Sequence, residues 1–383
     1  CEARHMILCE VVGANGRLST KKGLFTACDK GGNTIFKKIR NRYNCYYLLA
    51  LMTIIVFTFA GCMNDKSNEE QSEKKEVFAM DTYMTLTAYG ENASKANEKA
   101  ADRINEIEKL VSTNINTSEI YKLNKSKDEI VSEDTKNLIQ KSIDMYKETN
   151  GAFDICIYPV LKLWGFTTGN YTVPSKEQIK SLLGYADAEQ INVDGLHISF
   201  ADKNMEIDLG GITKGYTSQQ IMEIYKESGV KSGIVSLGGN VQALGRKPDG
   251  SKWSVGLEDP TDTSKYLGII SIEDKAVITS GGYERYFEQD GKTYHHIIDP
   301  STGYPADSGV ISATIISDDG TLADCLSTAV FIMGKDKAIK YWQSQSERFD
   351  MILVDKDEKI YVTQGVEKDF SSDNEVEIIK KSY

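Results

Sequence analysis

A chain of 383 residues, 40% hydrophobic and 26% charged, is long enough to bury a sizeable core and too apolar to stay disordered. Its net charge of −11 repels a phosphate backbone and excludes non-specific nucleic-acid binding outside a short basic stretch near the N-terminus. With six prolines against 31 glycines, its turns are made mostly by glycine, several of them in pairs.

Residues 1 to 36 begin with Cys, show no clear pattern and are set aside as an over-long leader. Lys37, Lys38, Arg40 and Arg42 then precede an uncharged apolar run, Tyr46 to Gly61, in the order of a secretory n-region and h-region. Phe59-Ala60-Gly61-Cys62 resembles a bacterial lipobox, in which small residues admit the signal peptidase and the cysteine sulfur receives diacylglycerol. An uncleaved spanning helix is the alternative, although the apolar run is at the short end for spanning. Residues 63 to 76 are polar and aperiodic and read as a tether. The expectation is a leader and signal peptide over 1–61, a tether over 62–76, and a protein held on the extracytoplasmic face of the cell membrane by lipid on Cys62. Five of the seven cysteines lie in or before this region; Cys156 and Cys325 sit in apolar surroundings, which favours two small buried hydrophobes over a bridge.

From Val77 the chain reads as one α+β domain to residue 366, with a charged, peripheral tail over 367–383. Val77 to Tyr89 predicts a strand, 92–110 a helix with Ala96, Ala100, Ile104 and Ile107 on one face, and 132–149 a second helix capped by Ser132. Strands are predicted at 195–200 and 204–209, and a helix over 214–228. From Ser232 the pattern is mainly β, with strands at 233–237, 253–257, 268–272, 276–280, 293–298 and 310–317. Helices over 322–333 and 336–345 then precede strands at 351–354 and 360–363. Strands and helices that do not alternate regularly argue against a doubly wound parallel sheet.

Five clusters could carry chemistry. In Ile207 to Tyr216 (IDLGGITKGY) a strand meets a Gly-Gly turn and a helix start, which aims backbone N–H groups at an anion. A tight structural turn is the simpler account of that piece alone. Ser236 to Asn240 (SLGGN) and Thr279 to Arg285 (TSGGYER) repeat the glycine pair, and three such elements suggest several backbone segments approaching one large ligand. In His295 to Pro305 (HHIIDPSTGYP), adjacent histidines on a strand face opposite ways. His296, with Asp299 behind it, is the better acid/base candidate, while His197 reads as structural. Asp324 and Thr328 stand four apart on a predicted helix, where a carboxylate and a hydroxyl can share one hard cation such as Mg²⁺; an Asp that merely complements the helix dipole is the alternative.

Taken in this order, the blocks DLGGITKGY, LGGN, HIIDPSTGYP and ADCLST resemble the FAD:protein FMN transferase family, also called the ApbE family, over about residues 77 to 365. The resemblance implies a T-fold-like mixed α+β domain. It implies FAD contacts at Met80, at Ala152, Phe153 and Asp154, and at Gly210, Tyr216 and Ile298. It matches Asn114 to a position where some members carry a flavin-contacting tyrosine, and places Asp81 where a small residue is usual. It assigns Mg²⁺ to Asp324, Thr328 and the Thr213 carbonyl, and matches His296 to the residue needed for transfer, with Asp299 as a nearby carboxylate. The implied reaction moves the FMN moiety of FAD to a threonine hydroxyl of a partner protein and releases AMP, the acceptors being flavin-carrying subunits of membrane redox complexes. Two other readings stay open on the residues: an FAD-storing lipoprotein, and an Mg²⁺-dependent FAD pyrophosphatase giving FMN and AMP.

Overall fold

A computed structural model describes residues 72–381; the leader, the lipobox cysteine and residues 62 to 71 of the expected tether lie outside the described residues. The expected mixed α+β architecture is observed. Nine strands form one sheet in chain order: Ser72–Ala79, Thr82–Tyr89, Ser232–Leu237, Asn240–Leu244, Ala276–Gly281, Val310–Ser317, Asp350–Asp355, Ile360–Thr363 and Val376–Ile379. Neighbours are antiparallel except the last pair. Smaller sheets include a two-stranded ribbon, Tyr286–Gln289 with Lys292–His295.

Two helices position the site. The Gly320–Met333 helix is apolar almost all round, which demands burial, and it shares a core with Ile278, Ala313 and Ile315 of the sheet. The Gly210–Glu227 helix crosses it so closely that a Cβ added at Gly215 would lie 2.2 Å from the Gly320 carbonyl oxygen and 2.5 Å from Asp324 Cβ. A Cβ at Gly320 would lie 2.4 Å from Gln242 Oε1. Only glycine at both positions allows the crossing.

Four expectations are corrected. The strand expected over Val77–Tyr89 is a hairpin turning at Met80 and Asp81, both at positive φ (+51° and +58°), so residues 72 to 76 are strand rather than tether. Their charged side chains are those of a sheet edge, where polarity protects unpaired backbone. Residues 204 to 209 form no strand: the Asn124 side chain takes both Ile207 backbone groups, N–H and C=O, at 2.8 Å each. The third helix starts at Gly210 rather than Lys214, which makes the glycine pair its first turn. The C-terminal tail is built into the fold, since Val376–Ile379 pairs with Ile360–Thr363 and Phe370 pairs with Ile270. Cys156 and Cys325 are buried free thiols, as expected.

The helix crossing makes a direct prediction. Gly215→Ala should cost about 2–3 kcal/mol through overpacking against backbone, read as a lower urea midpoint at constant m. Gly184→Ala, where an added Cβ meets nothing, should leave the midpoint unchanged.

Candidate active site

Asp324 lies in the second turn of the Gly320–Met333 helix with only 5% of its surface exposed, so its carboxylate must find hydrogen-bond donors inside the protein. The Gly215 N–H donates to Oδ2 at 2.7 Å and the Asn240 amide donates to Oδ1 at 3.0 Å. Asn240 opens its strand after a turn in which Gly238 and Gly239 take φ of +60° and +95°. Sequence reasoning picked out this run for its glycines and missed the amide; the signal was a buried-type Asn at the mouth of a strand.

Thr328 stands one turn beyond Asp324. Its Oγ1 lies 3.3 Å from Ser280 Oγ, which lies 2.8 Å from Ser327 Oγ, and Ser327 donates to the Asp324 carbonyl at 2.8 Å. A Cβ at Gly211 would lie 3.9 Å from Thr328 Oγ1 and 3.1 Å from the Phe153 ring. Gly210, Gly211, Phe153 and Thr328 therefore form one neighbourhood. The Thr213 carbonyl, in the same helix turn, accepts from the Thr217 hydroxyl at 2.7 Å. A carboxylate, a hydroxyl and a carbonyl are an oxygen-only donor set that fits Mg²⁺. Among the described residues no group of three His, Cys, Asp or Glu could hold a metal. With one carboxylate, this set fits an ion whose remaining ligands come from substrate phosphates and water.

His296 lies within electrostatic reach of Lys214, and Lys214 and Asp324 are both within reach of Glu284. The His296 backbone N–H and Nδ1 each lie 3.1 Å from the Arg285 carbonyl. A carbonyl only accepts, so Nδ1 carries the proton and Nε2 keeps its lone pair. Desolvation, followed by the charges of Arg285 and Lys214, holds the imidazole well below its ordinary 6.5, hence neutral at pH 7. Glu284 is raised above the usual carboxylate range, first by desolvation and then by Glu258 and Asp324, with Lys214 and Arg285 opposing. Asp208 is raised by desolvation, against the Gly210 N–H that donates to its Oδ1 at 2.7 Å. By surface area Asp208 and His296 are half-buried and Glu284 is exposed. His295 points the other way, its Nε2 3.1 Å from the Ala306 carbonyl and its ring edge-on to Phe331. His197, by contrast, makes a surface pair with Asp128 at 2.6 Å.

The other expected residues are placed as follows. Asp299 shapes its own turn, its Oδ1 accepting the Ser301 N–H and hydroxyl at 2.8 and 2.7 Å, so its carboxylate is committed locally. Ile298 is buried with Trp164 and Phe166, leaving its backbone as the part that could meet a ligand. Tyr216 donates to Asp134 Oδ1 at 2.5 Å, and Arg103 donates to the same atom at 2.5 Å, so the Asp134 carboxylate ties three helices together. The Met80 N–H donates to Glu108 at 2.6 Å, and its half-buried side chain packs on two cores. Asn114 sits exposed in the loop after the Ala93–Val111 helix, and Ala152 is half-buried on the main core. Asp154 is buried with Oδ1 accepting from the Cys156 N–H at 2.8 Å, while Oδ2 has no partner, an opening for a ligand N–H.

One glycine of each pair serves the protein's own packing. Gly211 lies under Phe153, Gly238 under Thr82, and Gly282 under His295. The Gly210 N–H at the helix start already holds the Asp208 carboxylate, and Lys214 and Arg285 are the positive charges beside it.

Burial lifts Asp154 to about 7, with the Cys156 N–H opposing and Asp187 adding to it. A carboxylate raised on folding contributes stability that is full below about pH 4 and is lost as pH rises through about 7. Asp154→Asn should therefore gain stability relative to wild type between pH 5 and pH 8, by roughly 2 kcal/mol, in paired thermal melts.

A family profile described as ApbE family matches residues 80–353. An FAD:protein FMN transferase of Klebsiella pneumoniae (strain 342) is 35% identical over 234 residues, 60% of this chain and 71% of that protein. One of the same name from Treponema pallidum (strain Nichols) is 33% identical over 60% of this chain and 67% of its own length. The crystal structure of the ApbE protein from Thermotoga maritima superposes with a TM-score of 0.73 at 33% identity, covering 78% of this chain and 99% of that one.

Proposed function

Because the chain belongs to the ApbE family, we propose that it moves the FMN moiety of FAD to a threonine hydroxyl of a partner protein and releases AMP. The enzyme class follows the relatives' shared name, FAD:protein FMN transferase. The observation that supports the finer reading is that His296 and the Asp324–Thr328 pair share one charged neighbourhood, His296 within reach of Lys214, and Lys214 and Asp324 both within reach of Glu284.

Mg²⁺ held by Asp324, Thr328 and the Thr213 carbonyl would supply charge neutralisation on the FAD diphosphate. Lys214 and Arg285 add positive charge to the same region and orient the phosphates. The acceptor oxygen forms a bond to the phosphorus on the FMN side, the bond from that phosphorus to the bridging oxygen breaks, and AMP carries that oxygen away. His296 Nε2 takes the hydroxyl proton, its ring held in place by the Arg285 carbonyl. Attachment to the membrane through lipid on Cys62 belongs to this proposal, and a Cys62→Ser variant should leave the membrane fraction while keeping its flavin chemistry.

The direct test incubates the protein with FAD, Mg²⁺ and a threonine-bearing flavin-carrier subunit, then looks for covalent flavin by gel fluorescence and for AMP. AMP and free FMN without labelled acceptor would support the pyrophosphatase reading; tight FAD binding with no AMP would support storage. Asp324→Ala should reduce transfer at least about a hundredfold, on the order of 3 kcal/mol of transition-state stabilisation. Since His296 is neutral in the free enzyme, the acid limb of kcat/KM should lie below pH 6.5 and disappear in His296→Ala, which keeps only residual activity. A limb at or above 6.5 that survives the substitution would remove His296 as the base.

A further inference from the structure

The hydroxyls beside Asp324 have a direction. The Ser327 hydroxyl has two neighbours at 2.8 Å, the Asp324 carbonyl and Ser280 Oγ. A carbonyl can only accept, so Ser327 spends its single proton there and meets Ser280 as an acceptor. Ser280 in turn donates to Ser327, and what remains to it toward Thr328, 3.3 Å away, is a lone pair. The usual alternative for a helical threonine is to donate to the carbonyl four residues back. Thr328 does not make that bond: among the described residues the hydrogen-bond partner of its hydroxyl is Ser280 Oγ, at 3.3 Å. Thr328 is left to donate to Ser280.

Ser280 is held in place by the sheet. Its strand pairs with Val310–Ser317, Ser280 standing opposite Ala313, and the neighbouring Thr279 and Thr314 hydroxyls meet at 2.8 Å across the same ladder. Side chains alternate along a strand, so Ser280 shares a face with Ile278, which lies in the core under the Gly320–Met333 helix.

We infer that Ser280 is a positioning residue for Thr328: by taking the threonine's proton it turns the Thr328 oxygen lone pairs away from itself, toward a cation shared with Asp324. This rests on the Mg²⁺-dependent reading above. The residue lies in the Thr279-Ser280-Gly281-Gly282 run, whose part in the site would then be a hydroxyl rather than its glycines.

The test is a double-mutant cycle on Mn²⁺ affinity, followed by the electron paramagnetic resonance signal of free Mn²⁺ in the presence of FAD, with melting temperatures for every variant. Ser280→Ala should weaken Mn²⁺ binding about tenfold, as loss of an outer hydrogen-bond partner does, while melting near wild type. Thr328→Val should weaken it at least as much, and Ser280→Ala should have no further effect in the Thr328→Val background. If Ser280→Ala binds Mn²⁺ as tightly as wild type, or weakens it equally with and without the Thr328 hydroxyl, the inference is wrong while the metal reading stands. If wild type takes up no Mn²⁺ with FAD present, both fall.

Discussion

The contact on which the site depends is the one between Gly215 and Gly320. Two helices ordinarily keep their axes roughly 8–10 Å apart because side chains stand between them. Here the missing side chains let backbone meet backbone, and the Gly215 N–H reaches the carboxylate of Asp324 directly. Gln242 and Ser218 close the same junction, their side chains 2.6 Å apart. From this crossing follow the burial of Asp324, the approach of Thr328 to the first turn of the Gly210–Glu227 helix, and the position of the Thr213 carbonyl.

The second organising feature is a division of labour between the sheet and the helices. The helices carry the groups proposed to hold the cation, and the sheet carries the groups that hold them. Asn240 steadies the Asp324 carboxylate from one strand, and Ser280 receives Thr328 from the next. His296 continues the ribbon beside this sheet and is fixed by backbone, through the Arg285 carbonyl, rather than by a carboxylate partner. Its proton acceptor strength is therefore set by burial and by nearby cations. An anionic substrate that offsets those cations would raise its basicity when it is needed.

Much of this was legible in the sequence because it rested on local rules. Ser132 does cap its helix, Asp324 and Thr328 do share a helix neighbourhood, and the two histidines do point apart, although the strand expected over 293–298 ends at His295. What was not legible rested on contacts distant in sequence. Nothing near Tyr216 shows that its hydroxyl belongs to Asp134, 82 residues earlier. Asn124 satisfying the backbone of Ile207, 83 residues on, is equally silent, and it is why an alternating run failed to become a strand. One glycine of each pair makes room for a side chain of the protein itself, Phe153, Thr82 or His295, which residue type alone does not reveal.

The central claim is that Asp324 and Thr328 present one oxygen face to a cation shared with a diphosphate. The most direct measurement is anomalous diffraction from crystals of the protein grown with FAD and Mn²⁺. The account predicts a manganese peak within bonding distance of an Asp324 carboxylate oxygen, Thr328 Oγ1 and the Thr213 carbonyl, and of a phosphate oxygen of FAD. A peak bound elsewhere, or FAD bound with no peak against Asp324, would contradict it.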